Sequence, residues 1–475
     1  MIEAHADAAG TPTAQHGWRG WLTPPHGETA ARLTLIAVVV ALHNLLEAPR
    51  DAITRMLGPD ATGILTFLTL TLSLALLLTA LAERAPTWGW LNNRWVRGAA
   101  LAVTLGAALI GVRQVGMLVV ATTQAPYYPN DGATLDQYAA QQLLVGHNPY
   151  VTTNIVAAVG LYRQDSAFTT PLRRGAFAHR TWTSYPSADE RRAAFRRQTA
   201  TLSAEDSAFE TRLSYPALAF LPLAPLVWAG LPNSVPLTAL CWLALVALMI
   251  TAAPRPLRVW IGLLALADVP LINASGIADP DVLYLLPLFA AWRWRDRGVL
   301  SAILLGLALA AKQLAWFSAP FYLVLVWRQR GWRTAVTRLA GAGVVFAALN
   351  LPFFINNPRA WLAGVLAPQL DPMFPLGNGL IRLSLSGALP LAPALVYTAL
   401  EALALAGALV WYWRNCLRAP ALGYALAVAP LFFAWRSLTT YFYFVALPAL
   451  ALLLSDARVR ASGAIPVPPA GEVSA

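Results

Sequence analysis

The chain has 475 residues, of which 57% are hydrophobic and only 12% charged, and its mean hydropathy is +0.54. Soluble globular domains carry roughly 25% charged residues, so this composition argues against a soluble fold and for a polytopic membrane protein. The net charge of +11 then reads as arginine-rich cytoplasmic loops rather than a nucleic-acid surface.

In chain order, residues 1–30 are polar and contain Gly, Pro and Thr, which predicts a disordered cytoplasmic tail without a cleavable signal peptide. Apolar runs at 31–47, 61–82 and 98–120 form an N-terminal set of spans covering 31–120. A large polar loop occupies 121–233. Within it, "DGATLDQYAAQQLLVGHNPY" places Leu135, Tyr138, Ala139 and Leu143 on one face of a short helix that Gly146 stops and Pro149 cannot continue. That helix should lie flat at the interface. The apolar stretch 215–230 carries Pro216, Pro222 and Pro225, each of which removes a helix hydrogen bond, so it reads as interfacial or re-entrant.

The C-terminal bundle, 234–455, holds further runs at 234–253, 257–273, 281–292, 299–311, 314–327, 335–354, 391–413, 419–434 and 440–455, and 456–475 is a second tail. Cys241 and Cys416 have no CxxC partner and give no disulfide or metal pattern. The expected fold class is all-α: a polytopic transmembrane helical bundle of about twelve spans, in the cell membrane.

Arginine clusters orient it. They fall at Arg84, Arg94 and Arg97, at Arg255 and Arg258, at Arg293, Arg295 and Arg297, at Arg328 to Arg338, at Arg414 and Arg418, and at Arg458 and Arg460. If all are cytoplasmic, the spans alternate consistently with both termini inside and 215–230 not crossing. Residues 299–327 are then too few for two full crossings, which need about 40 residues. They read as a hairpin of short helices with "AAKQLAW" at its tip.

The same topology collects polar groups on the outer side, where a purely structural membrane protein has little use for them. Asp131 follows the third span. It reads as a turn residue or helix N-cap, or as a carboxylate available for proton transfer. Asp136 reads as an exposed helix carboxylate. Lys312 at the hairpin tip is expensive in an apolar setting unless it snorkels or pairs. Arg436 and Arg382 read as interfacial anchors. Asp279 and Asp281 suit a turn or pairing with an arginine; as a divalent cation site they are a weak signal. Arg191, Arg192, Arg196 and Arg197 suit lipid headgroups or an anionic ligand. The sequence has no Rossmann or Walker signature and no pattern that demands a metal or other cofactor.

An aspartate after an early span, then "YAAQQLLVGHNPY", "SYPALAFLPLAPL", "GIADPDVLYLLPLFAAW", "LLGLALAAKQLAWFSAPFYLVLVWR", "NLPFFINNPRAWLAGVLAP", "PLGNGLIRLSLSG" and "AWRSLTTYFYF" together resemble the GT-C superfamily of membrane glycosyltransferases. The likeness is greatest to glycosyltransferase family 87, the DUF2029 group, and covers roughly 125–455. The chain departs from that pattern in two extra N-terminal spans and in the arginine-rich stretch 163–212, which matches no motif.

The resemblance implies transfer of a hexose, mannose by family association, from a polyprenyl-phosphate donor to a lipid or glycan acceptor. It implies an extracytoplasmic active site with Asp131 as general base and Asp136 in reserve. Lys312, Arg436 and more weakly Arg382 would bind the donor phosphate, and Tyr138, Asn148, Tyr150, Tyr215, Asp279, Asp281, Gln313, Asn378 and Tyr441 would contact acceptor or sugar. The chain is expected to work among membrane lipids as a monomer, without a nucleic-acid partner. A transporter or flippase of a lipid-linked sugar is the alternative. It should show charged residues mid-span in both halves and interrupted-helix repeats.

Overall fold

Runs dominated by Leu, Ala and Val, with few interior breakers, favour helix. The computed structural model describes residues 27–47, 50–198 and 205–461. In chain order the principal helices are α1 (Gly27–Glu47), α2 (Pro59–Leu81), α3 (Arg94–Ala121), α4 (Asp131–Leu144), α5 (Val235–Ala252), α6 (Arg258–Ala267), α7 (Val269–Gly276), α8 (Asp281–Arg293), α9 (Gly298–Ala311), α10 (Leu314–Arg330), α11 (Trp332–Asn356), α12 (Ala394–Asn415) and α13 (Ala446–Ala461). The only sheet among the described residues is a parallel pair, β1 (Leu376–Gly377) beside β2 (Arg436–Ser437). The architecture is all-α, with the long apolar helices of a membrane protein.

Seven helical segments are long and apolar enough to cross a bilayer: α1, α2, α3, α5, α11, α12 and 440–457. The pair α6–α7, bent by 59°, makes an eighth if it counts as one span. This is fewer than the about twelve expected, and helix length is the reason. The runs at 281–292, 299–311 and 314–327 give helices of 13, 14 and 17 residues, about 20–26 Å each, against a hydrocarbon core of roughly 30 Å. Run 419–434 divides into Leu422–Leu426 and a tight turn at Pro430–Phe433. Run 257–273 breaks at Asp268, just before Pro270.

The tail boundaries also move. Helix α1 begins at Gly27, inside the segment expected to be disordered. Arg32 fixes its first turn by pairing with Glu28 and donating to the carbonyls of Ala80 and Ala82 at the end of α2. Helix α13 continues to Ala461, and the Asp456–Arg295 ion pair at 2.6 Å anchors that stretch to the loop after α8. The rest of both tails, 1–26 and 462–475, lies outside the described residues. The proline-rich segment 215–230 forms only short turns and the five-residue helix Ala224–Trp228, as its composition predicts.

Helices α9 and α10 form the expected hairpin. The chain leaves helical geometry at Lys312, Ser301 hydrogen-bonds Tyr322 across the pair, and Asp296 meets Arg330 at 2.5 Å at the open end. Other arginines gather at that end: Arg338 donates to the Arg295 carbonyl and Arg328 to the Trp413 carbonyl. The hairpin tip lies at the opposite end, with the candidate site.

Helix α3 crosses α6 at a glycine. A β-carbon on Gly111 would sit 1.7 Å from the Leu266 carbonyl oxygen and 2.8 Å from its carbon. Those atoms belong to a helix backbone and cannot turn aside. Gly111→Ala is therefore expected to separate the two helices and cost about 1–3 kcal/mol. A melting midpoint equal to wild type in detergent would show that the crossing tolerates the methyl group.

Candidate active site

A cavity of about 610 Å³ opens beside the hairpin tip. Its walls come from six parts of the chain: the start of α4, the 170–215 region, the α7–α8 turn, the tip of the α9–α10 hairpin, residues 368–373 with the start of α12, and residues 431–441. Asp131, Tyr215, Asp279, Asp281, Lys312, Gln313, Arg436 and Tyr441 all line it. These sequence candidates, scattered over three hundred residues, thus share one space.

Asp131 is the first residue of α4 but not its cap. The Asn130 side chain takes that role, accepting from the Ala133 amide at 2.7 Å. The Asp131 carboxylate is thereby released from helix-end duty, and its Oδ2 accepts from the Thr170 amide at 2.8 Å. The carboxylate is half-buried and held from one side, an arrangement that leaves it able to accept a proton from a bound hydroxyl.

Lys312 does not snorkel. It is buried, forms an ion pair with Asp281, and lies over the Tyr215 ring with Nζ 4.9 Å from the centroid. The Tyr215 backbone is fixed from two directions. Gln313 donates to the Ser214 carbonyl at 2.6 Å and Tyr150 to the Tyr215 carbonyl at 2.8 Å. Asp279 accepts from the Asp281 amide at 2.9 Å, which is turn chemistry, and burial together with the neighbouring Asp281 raises its pKa.

Arg436 and Lys312 are the cations lining the cavity, and Arg436 has no ion-pair partner among the described residues. Its guanidinium donates to the Phe374 carbonyl at 3.2 Å, and its backbone is held by the β1–β2 pairing. That pairing requires Gly377, which has φ +126° and would place a β-carbon 1.9 Å from the Ser437 carbonyl oxygen. Asn378 extends it, its amide donating to Ser437 at 2.9 Å and its side chain bonding Thr439.

The other candidates lie outside the cavity lining. Asn148 caps a short helix and donates to the Phe353 carbonyl and the Asn356 side chain. Tyr150 is buried among Phe220, Phe353 and Trp361, and Asn378 supports β2. Arg382 sits beside Gly63 of α2. Tyr138 lies on α4 away from the lining. Arg192 is engaged by Asp165 and Asp189, and Arg191 lies over the Tyr185 ring.

Asp136 is not an exposed carboxylate: it is 2% exposed, because the folded loop encloses α4, and its Oδ1 has no hydrogen bond. Burial raises its pKa well above the usual carboxylate range; Lys312 opposes the rise and Asp279 and Asp131 add to it. A folded-state pKa above the unfolded value makes the folded form bind the proton more tightly. That contribution to stability is complete below about pH 4 and is lost as pH rises through the raised value. Asp136→Asn should remove this decline, so its denaturation midpoint should fall less with rising pH than that of wild type. Parallel curves for the two proteins would contradict this.

The cavity is also lined by residues outside the candidate site set. Glu210 and Asp371 line it, as do Trp182 and Trp435, whose rings pack edge to face at 5.5 Å. Glu401 and Thr398 line it from α12, with no hydrogen bond or ion pair to Glu401 among the described residues. A visible signal marked Glu401: it is the one carboxylate inside the apolar run 391–413. No group of three or more His, Cys, Asp and Glu converges in metal-binding fashion among the described residues. No family model matches this chain, and neither does any curated protein or solved structure.

Proposed function

We propose that the chain is an integral membrane glycosyltransferase. It transfers a hexose, mannose being the first to test, from a polyprenyl-phosphate donor to a lipid or glycan acceptor. The observation that carries this reading is the shared cavity: a carboxylate fit to accept a proton, Asp131, and a guanidinium without an acidic partner among the described residues, Arg436, face the same space with aromatic walls. In the proposed reaction an acceptor hydroxyl attacks the anomeric carbon, Asp131 takes the hydroxyl proton, and the bond to the phosphate oxygen breaks. The departing polyprenyl phosphate carries the negative charge to Arg436, a donor suited to bidentate phosphate contact. Lys312 joins it only by exchanging or sharing its bond to Asp281.

The proposed topology has about twelve traverses, several by short or broken helices, with both termini cytoplasmic and the cavity extracytoplasmic. The gathering of arginines at the opposite end of the hairpin supports that sidedness. The decisive experiment is an in-membrane assay with radiolabelled polyprenyl-phosphate mannose and total lipid as acceptor. Labelled product above an empty-membrane control supports the transferase. Absence of transfer from every polyprenyl-phosphate sugar tested favours a transporter or flippase of such a lipid.

A further inference from the structure

Within the stretch 163–212, which matches no motif, residues 170–174 and 208–212 join the two ends of the cavity. At one end the Thr170 amide donates to Asp131 Oδ2 at 2.8 Å. Thr170 is held in turn by Glu210, whose amide donates to the Thr170 carbonyl at 2.9 Å, and Leu172 donates to Ala208 at 2.9 Å. At the other end Arg174 and Arg212 grip the two oxygens of Asp371, each at 3.0 Å. The Arg173 amide donates to the Pro372 carbonyl at 2.8 Å. Two residues further on, Phe374 accepts from Arg436. An unbroken chain of bonds thus runs from the Asp131 carboxylate to the Arg436 guanidinium.

The centre of this chain is Asp371, whose side chain is 5% exposed. A carboxylate with one guanidinium on each oxygen has little freedom, because charge-assisted hydrogen bonds are short and directional. Glu210 is also buried, and its Oε1 accepts from the Arg212 amide at 2.8 Å. Arg174, Asp371 and Arg212, a triad of charges, therefore fasten the bridged segments around 170–172 and 208–210 to the 371–374 segment. In doing so they set where the Thr170 N–H points.

We propose that Arg174, Asp371 and Arg212 are positioning residues that act through Asp131, holding it at a fixed separation from Arg436. The inference rests on the function proposed above, and its role for Asp371 is geometric rather than chemical. A group displaced by about 1 Å from its reacting partner loses on the order of 100-fold in rate, so loosening the triad should appear in turnover before it appears in donor affinity.

The test is Asp371→Asn, which keeps the side-chain shape and turns one acceptor oxygen into a donor facing an arginine. The expected result is a fall in kcat of about 10- to 100-fold with donor KM changed by less than about threefold. Combined with Asp131→Asn, it should add no further loss, because both changes act on one group. Hydrogen exchange read by mass spectrometry should show faster exchange of the peptide containing the Thr170 amide. An additive double mutant, or a raised KM at unchanged kcat, would overturn the proposal in favour of direct substrate contact by Asp371. Unchanged exchange at Thr170 would overturn it as well. If Asp371→Asn does not fold, Arg212→Lys should give the same pattern at smaller size. If wild type transfers no sugar, the functional reading fails, and the exchange measurement alone decides whether the triad holds Thr170.

Discussion

Asp131→Asn is expected to lower sugar transfer by about 10²- to 10⁴-fold, the usual contribution of a positioned general base. The substitution is chosen because it keeps the structure. The Asn side-chain oxygen can still accept from the Thr170 amide, as Asp131 Oδ2 does, and Asn130 retains the helix cap. Donor KM should therefore stay near wild type while kcat falls, the pattern of an interaction made in the transition state. Transfer by Asp131→Asn equal to wild type would remove Asp131 from the mechanism, and the other carboxylates lining the cavity would be next in line.

Lys312→Met is expected to be the most destabilising single change at the site. Asp281 would remain 1% exposed with its partner gone, and breaking a buried pair from one side costs about 3–5 kcal/mol. The loss of the ammonium over the Tyr215 ring adds a smaller amount. The double variant Lys312→Met with Asp281→Leu should recover most of the stability, since two well-packed apolar groups replace a buried pair at little net cost. Thermal denaturation of the single and double variants measures both effects. A stable single variant that fails only to bind polyprenyl phosphate would mean that Lys312 serves the donor rather than the fold.

Local signals carried much of the fold. The proline triplet at 216, 222 and 225 was enough to deny 215–230 a long helix, and the shortness of 299–327 was enough to require a hairpin. Arginine positions then grouped distant polar residues on one side, which is why Asp131, Lys312 and Arg436 emerged together. Span number was less legible, because an apolar run marks where a helix lies but not where it breaks. Asp268 interrupts one run, and Pro430 starts a tight turn in another.

The pairing of charges was not legible at all. Asp371 meets Arg174 and Arg212 across 197 and 159 residues, and no periodicity or motif records such a distance. Residue type also misled. Asn148 and Tyr150 have the chemistry of sugar contacts, yet they spend it on helix capping and on backbone carbonyls of the fold.

The hairpin of α9 and α10 constrains how the protein is made. Its first arm is about 21 Å long, less than the hydrocarbon thickness, and a lysine stands at the turn. Such a unit is a poor independent passenger for the insertion machinery: its freed backbone groups and its charge find partners only inside protein. Those partners lie on either side in synthesis order, with Asp281 on α8 made before it and the packing surface of α11 made after it. The hairpin therefore cannot complete its packing before α11 has been made. The cavity in turn stays incomplete until residues 431–441, which form one of its walls, have been added.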